Sequence, residues 1–276
     1  MATIGLISDT HFEERLFALP LKLAQVWGPV DLILHAGDVG DLAVLDQLGQ
    51  IAPTVAVHGN DEPQATQRDL PEQQLLSIHG LRLLLWHGHY PDPVEEKAKR
   101  GGAWGPKLDR LAARARQAGA AILVYGHSHV PATSPYPGVT LFNPGALTSG
   151  SFFSRQALPT VGRLRVLSGG AFEVEHLDIV AGRVVEVPAP LAAEDFSVLG
   201  GRYQAWIVEP DLIPLVAELR RVPYADVRAM VQTIIPLYRR HIDSGPIRRQ
   251  DLIDTIQSSA LMTPSDRQKA LAVLER

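Results

Sequence analysis

The stretch TIGLISDTH, at residues 3–11, decides the fold class of this chain. It begins with apolar and β-branched residues, which are typical of a buried β-strand, and it leads directly into Asp9 and His11. In open α/β sheets, ligands gather at the carboxyl ends of strands, because the loops that follow converge on a shared crevice. The stretch therefore predicts an α/β sheet that carries functional side chains at its carboxyl edge.

The same arrangement recurs along the first half of the chain. Four more apolar runs, at residues 32–35, 55–58, 83–86 and 122–125, also end in small clusters of Asp, Asn and His. Core packing does not explain five separate loops that deliver such side chains to one edge. The five clusters are Asp9-Thr10-His11, Gly37-Asp38, Gly59-Asn60-Asp61, His87-Gly88-His89 and Gly126-His127-Ser128-His129.

Strand-like and helix-like segments alternate up to residue 125, which favours the α/β class. From residue 131 the chain changes to short strands separated by Gly, Pro and Ser, which predict an antiparallel meander. The predicted helices are 16–27, 42–48 and 107–118, and the predicted strands are 3–8, 31–35, 54–58, 75–78, 81–86, 121–125, 140–142, 162–167, 172–177 and 183–187.

A second change occurs at the Pro-rich link 188–191. Beyond this link, helical spacing predicts helices at 212–221, 225–241, 249–259 and 264–275. We therefore predict an α/β domain over residues 1–190 and a helical C-terminal extension over residues 191–276. The sequence leaves open whether the extension docks on the first domain, pairs across a homo-oligomer or covers the functional site.

The composition excludes several classes of function. The chain contains no cysteine, so disulfides, thiolate zinc sites and cysteine nucleophiles are excluded. The net charge of -4 provides no global basic field for nucleic acid. No apolar stretch approaches the roughly 18 residues of a membrane span, and we expect a cytoplasmic protein without a membrane partner.

The clusters combine imidazole and carboxylate groups without any thiolate. This set suits a pair of Mn, Fe, Zn or Ni ions, and two ions need a shared carboxylate. His35 and His58 lie at strand ends outside the clusters, and we expect them in the core or behind the metal ligands. We expect His79, His176 and His241 at the surface.

The ordered set of clusters resembles the signature of the calcineurin-like metallophosphoesterases over about the first 150 to 190 residues. The short spacing and the later sequence Asn143-Pro144-Gly145 most resemble the small bacterial and archaeal phosphodiesterase branch of that family. The helical extension lies outside the resemblance. The motifs that carry it are Asp9-x-His11, Gly37-Asp38, Gly59-Asn60-x-Glu62, His87-Gly88-His89 and Gly126-His127-x-His129.

The resemblance implies a four-layer α/β/β/α sandwich of two mixed sheets and a dinuclear metal centre. It implies two divalent ions, manganese first, with zinc, iron or nickel as alternatives. A hydroxide that bridges the ions would attack the phosphorus of a small phosphorylated or nucleotide-type substrate. The implied ligands are Asp9, His11, Asp38 and His129 for one metal, and Asp38, Asn60, His87 and His127 for the other, with Asp38 as the bridge.

The implied activity is that of a phosphodiesterase, and two alternatives remain. One is a phosphomonoesterase or nucleotide phosphatase. The other is a non-catalytic scaffold, the form taken by a retromer subunit that resembles this family. Scaffolds of that type usually lose ligands, whereas all seven implied ligand positions carry a competent side chain here.

One position departs from the family pattern, because Asp61 follows the Asn where many members have a His. A carboxylate beside two cations should stay ionised and be a poor proton donor. Either the leaving group departs unaided, or another residue protonates it, for which His89 is the better candidate. Arg155 could contact a substrate phosphate or could be an ordinary surface arginine.

Overall fold

The computed structural model contains two β-sheets, and it describes every residue except 13–15, 17, 100–101, 148–157, 188, 196–197 and 199–207. The strands in chain order are β1 (Ala2–Ile7), β2 (Leu32–His35), β3 (Thr54–Ala56), β4 (Gln73–Ile78), β5 (Leu81–Trp86), β6 (Ile122–Val124), β7 (Ala132–Tyr136), β8 (Val139–Asn143), β9 (Thr160–Val166), β10 (Phe172–Asp178) and β11 (Arg183–Val185). The α-helices are α1 (Leu23–Trp27), α2 (Ala43–Gly49), α3 (Gln64–Asp69), α4 (Pro93–Lys99), α5 (Trp104–Gln117), α6 (Leu212–Leu219), α7 (Val227–Ser244), α8 (Arg249–Gln257) and α9 (Pro264–Leu274).

Both sheets are mixed, with parallel and antiparallel strand pairs. The first has the order β11-β10-β9-β1-β2-β3, in which β1 pairs parallel with β2 and antiparallel with β9. The second has the order β4-β5-β6-β8-β7, in which β5, β6 and β8 are parallel neighbours. Parallel pairing aligns the carboxyl ends of β1, β2 and β3 in one sheet and of β5 and β6 in the other.

The two sheets pack face to face, and alternate residues of each strand enter this layer. Ile4 and Leu6 of β1 share a buried cluster with Leu83 and Leu85 of β5. The intervening residues point outward, so that Leu84 of β5 packs in a second cluster with α5. The side-chain period of two thus assigns each strand residue either to the layer between the sheets or to a helix-covered outer face.

Helices cover both outer faces. Ile7 of β1 lies in a buried cluster with Trp27 of α1, and Leu84 lies in one with Leu108 of α5. A Cβ atom on Gly5 would approach Trp27 Cε2 to 3.0 Å, so the absence of a side chain at Gly5 lets the indole pack closely on β1. The α/β/β/α sandwich of two mixed sheets is confirmed.

Some predicted elements differ from the observed ones. The predicted helix 16–27 is wrong in its first part, because α1 begins at Leu23 and Leu16 forms an isolated bridge with Phe12. Pro20 explains the late start, since proline disfavours helical backbone in the residue before it. The antiparallel meander is confirmed for β9, β10 and β11, whereas β8 joins the other sheet beside β6. The short helices α3 and α4 and the strand β7 were not predicted.

The four C-terminal helices, α6 to α9, have a buried core of their own. All of its buried members lie between Val208 and Leu274, and Met230, Ile234 and Ile256 are among them. Ion pairs within the extension join Arg276 to Glu218 at 2.9 Å and Arg249 to Asp211 at 3.2 Å. In the described part of the chain, no helix is long and apolar enough to cross a lipid bilayer.

The link before the extension contacts the first domain. The backbone N–H groups of Trp104 and Gly105, at the start of α5, donate to the carbonyl oxygens of Glu194 and Ala192 at 3.0 and 2.8 Å. These contacts tie residues 192–194 to the sandwich. The boundary at residue 190 therefore stays a prediction, while the shared core of the extension supports a separate unit that begins near residue 208.

We expect a fragment of residues 208–276 to fold alone, because its buried apolar residues pack on one another. Far-ultraviolet circular dichroism should show a helical spectrum that is lost cooperatively on heating. Ile234→Ala should lower the free energy of unfolding of the fragment by about 2–5 kcal/mol, the usual cost of truncating a buried Ile. A coil spectrum at low temperature would show instead that the helices need the sandwich to fold.

Candidate metal centre

The predicted metal ligands come together in the loops that follow β1, β2, β3, β5 and β6. His and carboxylate side chains form two groups, and within each group the candidate ligand atoms all lie within 4.8 Å of one another. Asp38 belongs to both groups, and the members of the first group are all buried. The groups are Asp9, His11, Asp38 and His129, and Asp38, His87 and His127.

The first group is held by close contacts between side chains. The Nε2 atoms of His11 and His129 are 3.2 Å apart, and His129 Nε2 lies 3.3 Å from Asp9 Oδ1. His11 Nε2 lies 3.6 Å from Asp38 Oδ2. Two imidazoles and two carboxylates therefore direct nitrogen and oxygen atoms at one small volume, which is the donor set that borderline divalent metals take.

The second group meets the first at Asp38. His87 Nε2 lies 3.3 Å from Asp38 Oδ2, the same oxygen that His11 approaches. The other carboxylate oxygen of Asp38, Oδ1, accepts the backbone N–H groups of Asn60 and Asp61, both at 2.9 Å. The backbone thus fixes one oxygen of Asp38, and the other faces histidines of both groups.

Asn60, predicted as a ligand beside the second group, contacts Asp38 through its backbone N–H. Its Nδ2 donates to Asp61 Oδ1 at 2.9 Å, while its Oδ1 is buried and has no hydrogen-bond partner among the described residues. Buried polar oxygens are normally paired, so an unpaired oxygen beside Asp38 fits a site that receives a cation. The hydrogen bond to Asp61 thereby fixes the orientation of the Asn60 amide.

The loops adopt backbone conformations that are rare for residues other than glycine. Asp9, His11, Asp38, His127 and His129 have positive φ angles between 42° and 67°. Of the described residues other than glycine, only one more has a positive φ. Each such residue costs on the order of 1–3 kcal/mol, and strain of this kind concentrates at functional sites.

Two glycines let neighbouring loops approach closely. A Cβ atom at position 59 would lie 2.1 Å from Asp38 Oδ1, and one at position 126 would lie 2.7 Å from Asp9 Oδ2. Both distances are far too short, so Gly59 and Gly126 are required by the packing of the loops against Asp38 and Asp9. The N–H of His127, which follows Gly126, donates to both oxygens of Asp9 at 3.0 and 3.1 Å.

Electrostatics within the cluster favour a bound cation. Burial raises the pKa of Asp9 to about 7. Burial would raise the pKa of Asp38 too, but the adjacent His87 imidazole, His11 and the N–H of Asp61 together outweigh burial and hold that pKa well below its usual range. Burial opposes a charge on His87, yet Asp38 beside it raises the pKa of His87 to about 10. Positive charge on His87 thus offsets the negative charge of Asp38 at neutral pH, and a divalent cation would supply that charge instead.

Polar residues outside the two groups connect the loops through hydrogen bonds. Glu62 is buried, and its two oxygens accept the N–H groups of Val39 at 2.7 Å and Gly59 at 2.5 Å, which ties the loop after β2 to the loop after β3. Burial raises the pKa of Glu62. Glu62 belongs to the motif Gly59-Asn60-x-Glu62, and its role in joining the two loops was not predicted from the sequence.

Hydrogen bonds from Asn143 hold the loop after β6 in place. Asn143 Nδ2 donates to Gly126 O at 2.7 Å and lies 3.0 Å from Ser128 Oγ, on either side of His127. His176 Nε2 donates to Asn143 O at 2.8 Å, and its ring stacks on Phe142. The prediction that His176 lies at the surface is therefore wrong. Its place in β10 buries it, and burial lowers its pKa to about 4.

The two strand-end histidines lie behind and beside the cluster. His35 is fully buried, and its Nε2 is 2.9 Å from Thr10 Oγ1, which donates to Val39 O. Burial lowers the pKa of His35 to about 3, which keeps it neutral. His58 is half-buried, with its Nδ1 2.9 Å from Gly59 O. His79 is exposed, as expected.

A groove of about 510 Å³ opens beside the second group. Asn60, Asp61, His58, His89 and Glu96 are among the residues that line it. Burial lowers the pKa of His89 to about 3, so its ring is neutral. Arg155, the predicted phosphate contact, lies outside the described residues.

Comparisons with known proteins agree with this geometry. The family model described as the calcineurin-like phosphoesterase superfamily domain matches residues 2–167. A probable metallophosphoesterase from Methanocaldococcus jannaschii is 36% identical over 147 residues, which are 52% of this chain and 68% of that protein. A phosphodiesterase from the same organism is 24% identical over 158 residues, which are 51% of this chain and 82% of that protein.

A solved structure has the same fold. A single-mutant Vps29 from Entamoeba histolytica has a TM-score of 0.53 and 26% sequence identity, and the match covers 66% of this chain and 96% of that one. The family match covers more than half of the chain, and it includes every member of the Asp and His cluster. This chain therefore belongs to the calcineurin-like phosphoesterase superfamily, and it carries the buried metal-binding cluster of a phosphoester hydrolase.

Proposed function

We propose that this protein is a dinuclear metal-dependent phosphodiesterase. The observation that supports this most is the shared position of Asp38, which belongs to both groups of candidate ligands. A carboxylate shared by two donor groups is what a pair of metals requires. The proposed substrates are small phosphodiesters, with nucleotide-type compounds among them.

The proposed ligands of one metal are Asp9, His11, Asp38 and His129, and those of the other are Asp38, Asn60, His87 and His127. Two divalent ions held there would acidify a water molecule and neutralise negative charge that develops on the phosphoryl oxygens. The nitrogen and oxygen donors suit manganese, our first expectation, and also zinc, iron and nickel. A cytoplasmic location remains a prediction that the lack of cysteine permits.

The residues of the chain position these donors. The N–H groups of Asn60 and Asp61 fix Asp38 Oδ1, which leaves Oδ2 between His11 and His87. We assign Asp61 a role in orienting the Asn60 amide rather than in proton donation, because its carboxylate accepts the Nδ2 hydrogen bond.

The groove favours a diester over a monoester. Its described lining contains the acidic residues Asp61 and Glu96 and the histidines His58 and His89, and none of these described lining residues is a lysine or arginine. A phosphodiester carries one negative charge, whereas a monoester carries nearly two at neutral pH. Asp61 and Glu96 disfavour this second charge, which supports the diesterase over the monoesterase. The phosphodiesterase relative from Methanocaldococcus jannaschii supports the same choice.

Leaving-group protonation is not the role we propose for His89. With its pKa near 3, the ring is neutral at working pH and has no imidazolium proton to give. It can donate one hydrogen bond to substrate. The proposed enzyme therefore acts best on diesters whose leaving group is stable as an anion.

Asp38→Asn should abolish most of the turnover of bis-p-nitrophenyl phosphate by manganese-loaded protein. The rate should fall by more than the ~10–100-fold that is typical when a residue behind a ligand is lost. Asp41→Asn, three positions along and exposed, should retain the wild-type rate. The proposed function would be contradicted if wild type showed no turnover with Mn, Zn, Ni or Fe while Asp38→Asn bound as much metal as wild type.

Metal binding should release protons, because His87 with its pKa near 10 is protonated below that pH and must lose its proton to bind a metal. Asp9, with a pKa near 7, releases a further proton on metal binding below neutral pH. Apparent affinity for Mn²⁺ should therefore rise with pH, by ~10-fold per pH unit for each displaced proton. Calorimetric titration at pH 7 in buffers of different ionisation heat counts the protons, and a count of zero would contradict the prediction.

His89→Ala should slow diester hydrolysis by about the same factor for good and poor leaving groups. Loss of one hydrogen bond to substrate predicts a factor of roughly 10. The measurement compares kcat for p-nitrophenyl and phenyl diesters in wild type and variant. A much larger loss on the phenyl diester would assign the proton donor to His89 after all.

A further inference from the structure

Glu96 is a buried carboxylate that contacts a proposed metal ligand, although no sequence motif contains it. It lies on α4, its side chain is buried, and it lines the groove together with Asn60 and Asp61. Its Oε1 lies 2.8 Å from His127 Nε2, and its Oε2 accepts the N–H of Tyr90 at 3.1 Å. The two oxygens thus join the loop after β6 to the loop after β5.

The local backbone holds Glu96 in place. Asp92 caps the start of α4, since its Oδ1 accepts the N–H of Val94 at 2.8 Å. The carbonyl of Asp92 accepts the N–H of Glu96 itself, also at 2.8 Å. Glu96 therefore projects from a fixed helical turn, whereas the neighbouring Glu95 is exposed.

A histidine binds a metal through one ring nitrogen, and the hydrogen bond made by the other nitrogen decides which one is available. In His87, Nδ1 donates to Ala36 O at 2.8 Å, which leaves Nε2 facing Asp38. In His127, Nε2 forms the hydrogen bond with Glu96, which leaves Nδ1 available to bind a metal. The two histidines of the second group are therefore oriented through opposite nitrogens, one by a backbone carbonyl and one by a carboxylate.

We propose that Glu96 is a positioning residue for the second metal, because it accepts the Nε2–H of His127 and thereby presents Nδ1 to the ion. The proposal rests on the proposed function in that it takes His127 as a ligand. A carboxylate behind a ligating imidazole fixes the tautomer and the ring orientation, and it increases the basicity of the ligating nitrogen.

The test is a calorimetric titration of the full-length, metal-free chain with Mn²⁺. Glu96→Ala should bind the first equivalent as wild type does and the second equivalent ~10–100-fold more weakly. Glu96→Gln should recover part of that loss, because its amide oxygen can still accept from Nε2–H. Glu95→Ala, on the same helix, should match wild type.

A second measurement does not depend on metal. A ¹H–¹⁵N spectrum of the imidazole nitrogens in metal-free wild type, assigned with His127→Asn, should show His127 protonated at Nε2. Glu96→Ala should lose this preference while its thermal unfolding stays close to that of Glu95→Ala. An Nδ1–H tautomer in wild type would overturn the proposal even if every Glu96 variant folded poorly.

The outcomes separate this proposal from the function on which it rests. If wild type binds one equivalent, or if His127→Asn binds two like wild type, the ligand assignment fails and the role of Glu96 fails with it. If His127→Asn loses the second metal while Glu96→Ala binds like Glu95→Ala, only the role of Glu96 is overturned. Equal losses in Glu96→Ala and Glu96→Gln would likewise overturn it and would make Glu96 itself a metal ligand.

Discussion

Burial of the Asp9 and Asp38 carboxylates is the constraint on which the rest of the site depends. An ionised carboxylate that leaves water must regain its lost solvation from hydrogen bonds and opposite charge. Backbone N–H groups of neighbouring loops supply part of this, from His127 to Asp9 and from Asn60 and Asp61 to Asp38. Imidazoles supply the rest, and the proposed metals would take over that role.

The same constraint explains the geometry of the loops. For backbone N–H groups to reach a buried carboxylate from an adjacent strand, each chain must turn sharply within two or three residues of the strand end. The chain does so through left-handed conformations at ligand positions and through glycines where a Cβ would collide with a carboxylate oxygen. The same sharp turns therefore strain the backbone of the loops and bring N–H groups to the carboxylates.

The parts of this protein that could be predicted from sequence are those with local signals. Strand period and strand-end clusters lie within a few residues of one another, so the α/β class and the clustering of Asp9, Asp38 and His87 followed directly, whereas the two-sheet sandwich was implied only by the family resemblance. His176 was misjudged because its burial depends on pairing between β10 and β9 and on stacking against Phe142. Glu96 was missed because it lies 31 residues from His127, on a helix too short to show periodicity.

The acidic lining of the groove has a consequence for the end of the catalytic cycle of the proposed diesterase. Hydrolysis of a diester leaves a monoester, which carries more negative charge at neutral pH than the molecule that entered. In the proposed diesterase, Asp61 and Glu96, which line the groove, would then face a product with more negative charge than the substrate. The two carboxylates that disfavour a monoester at entry would therefore also favour release of the monoester product.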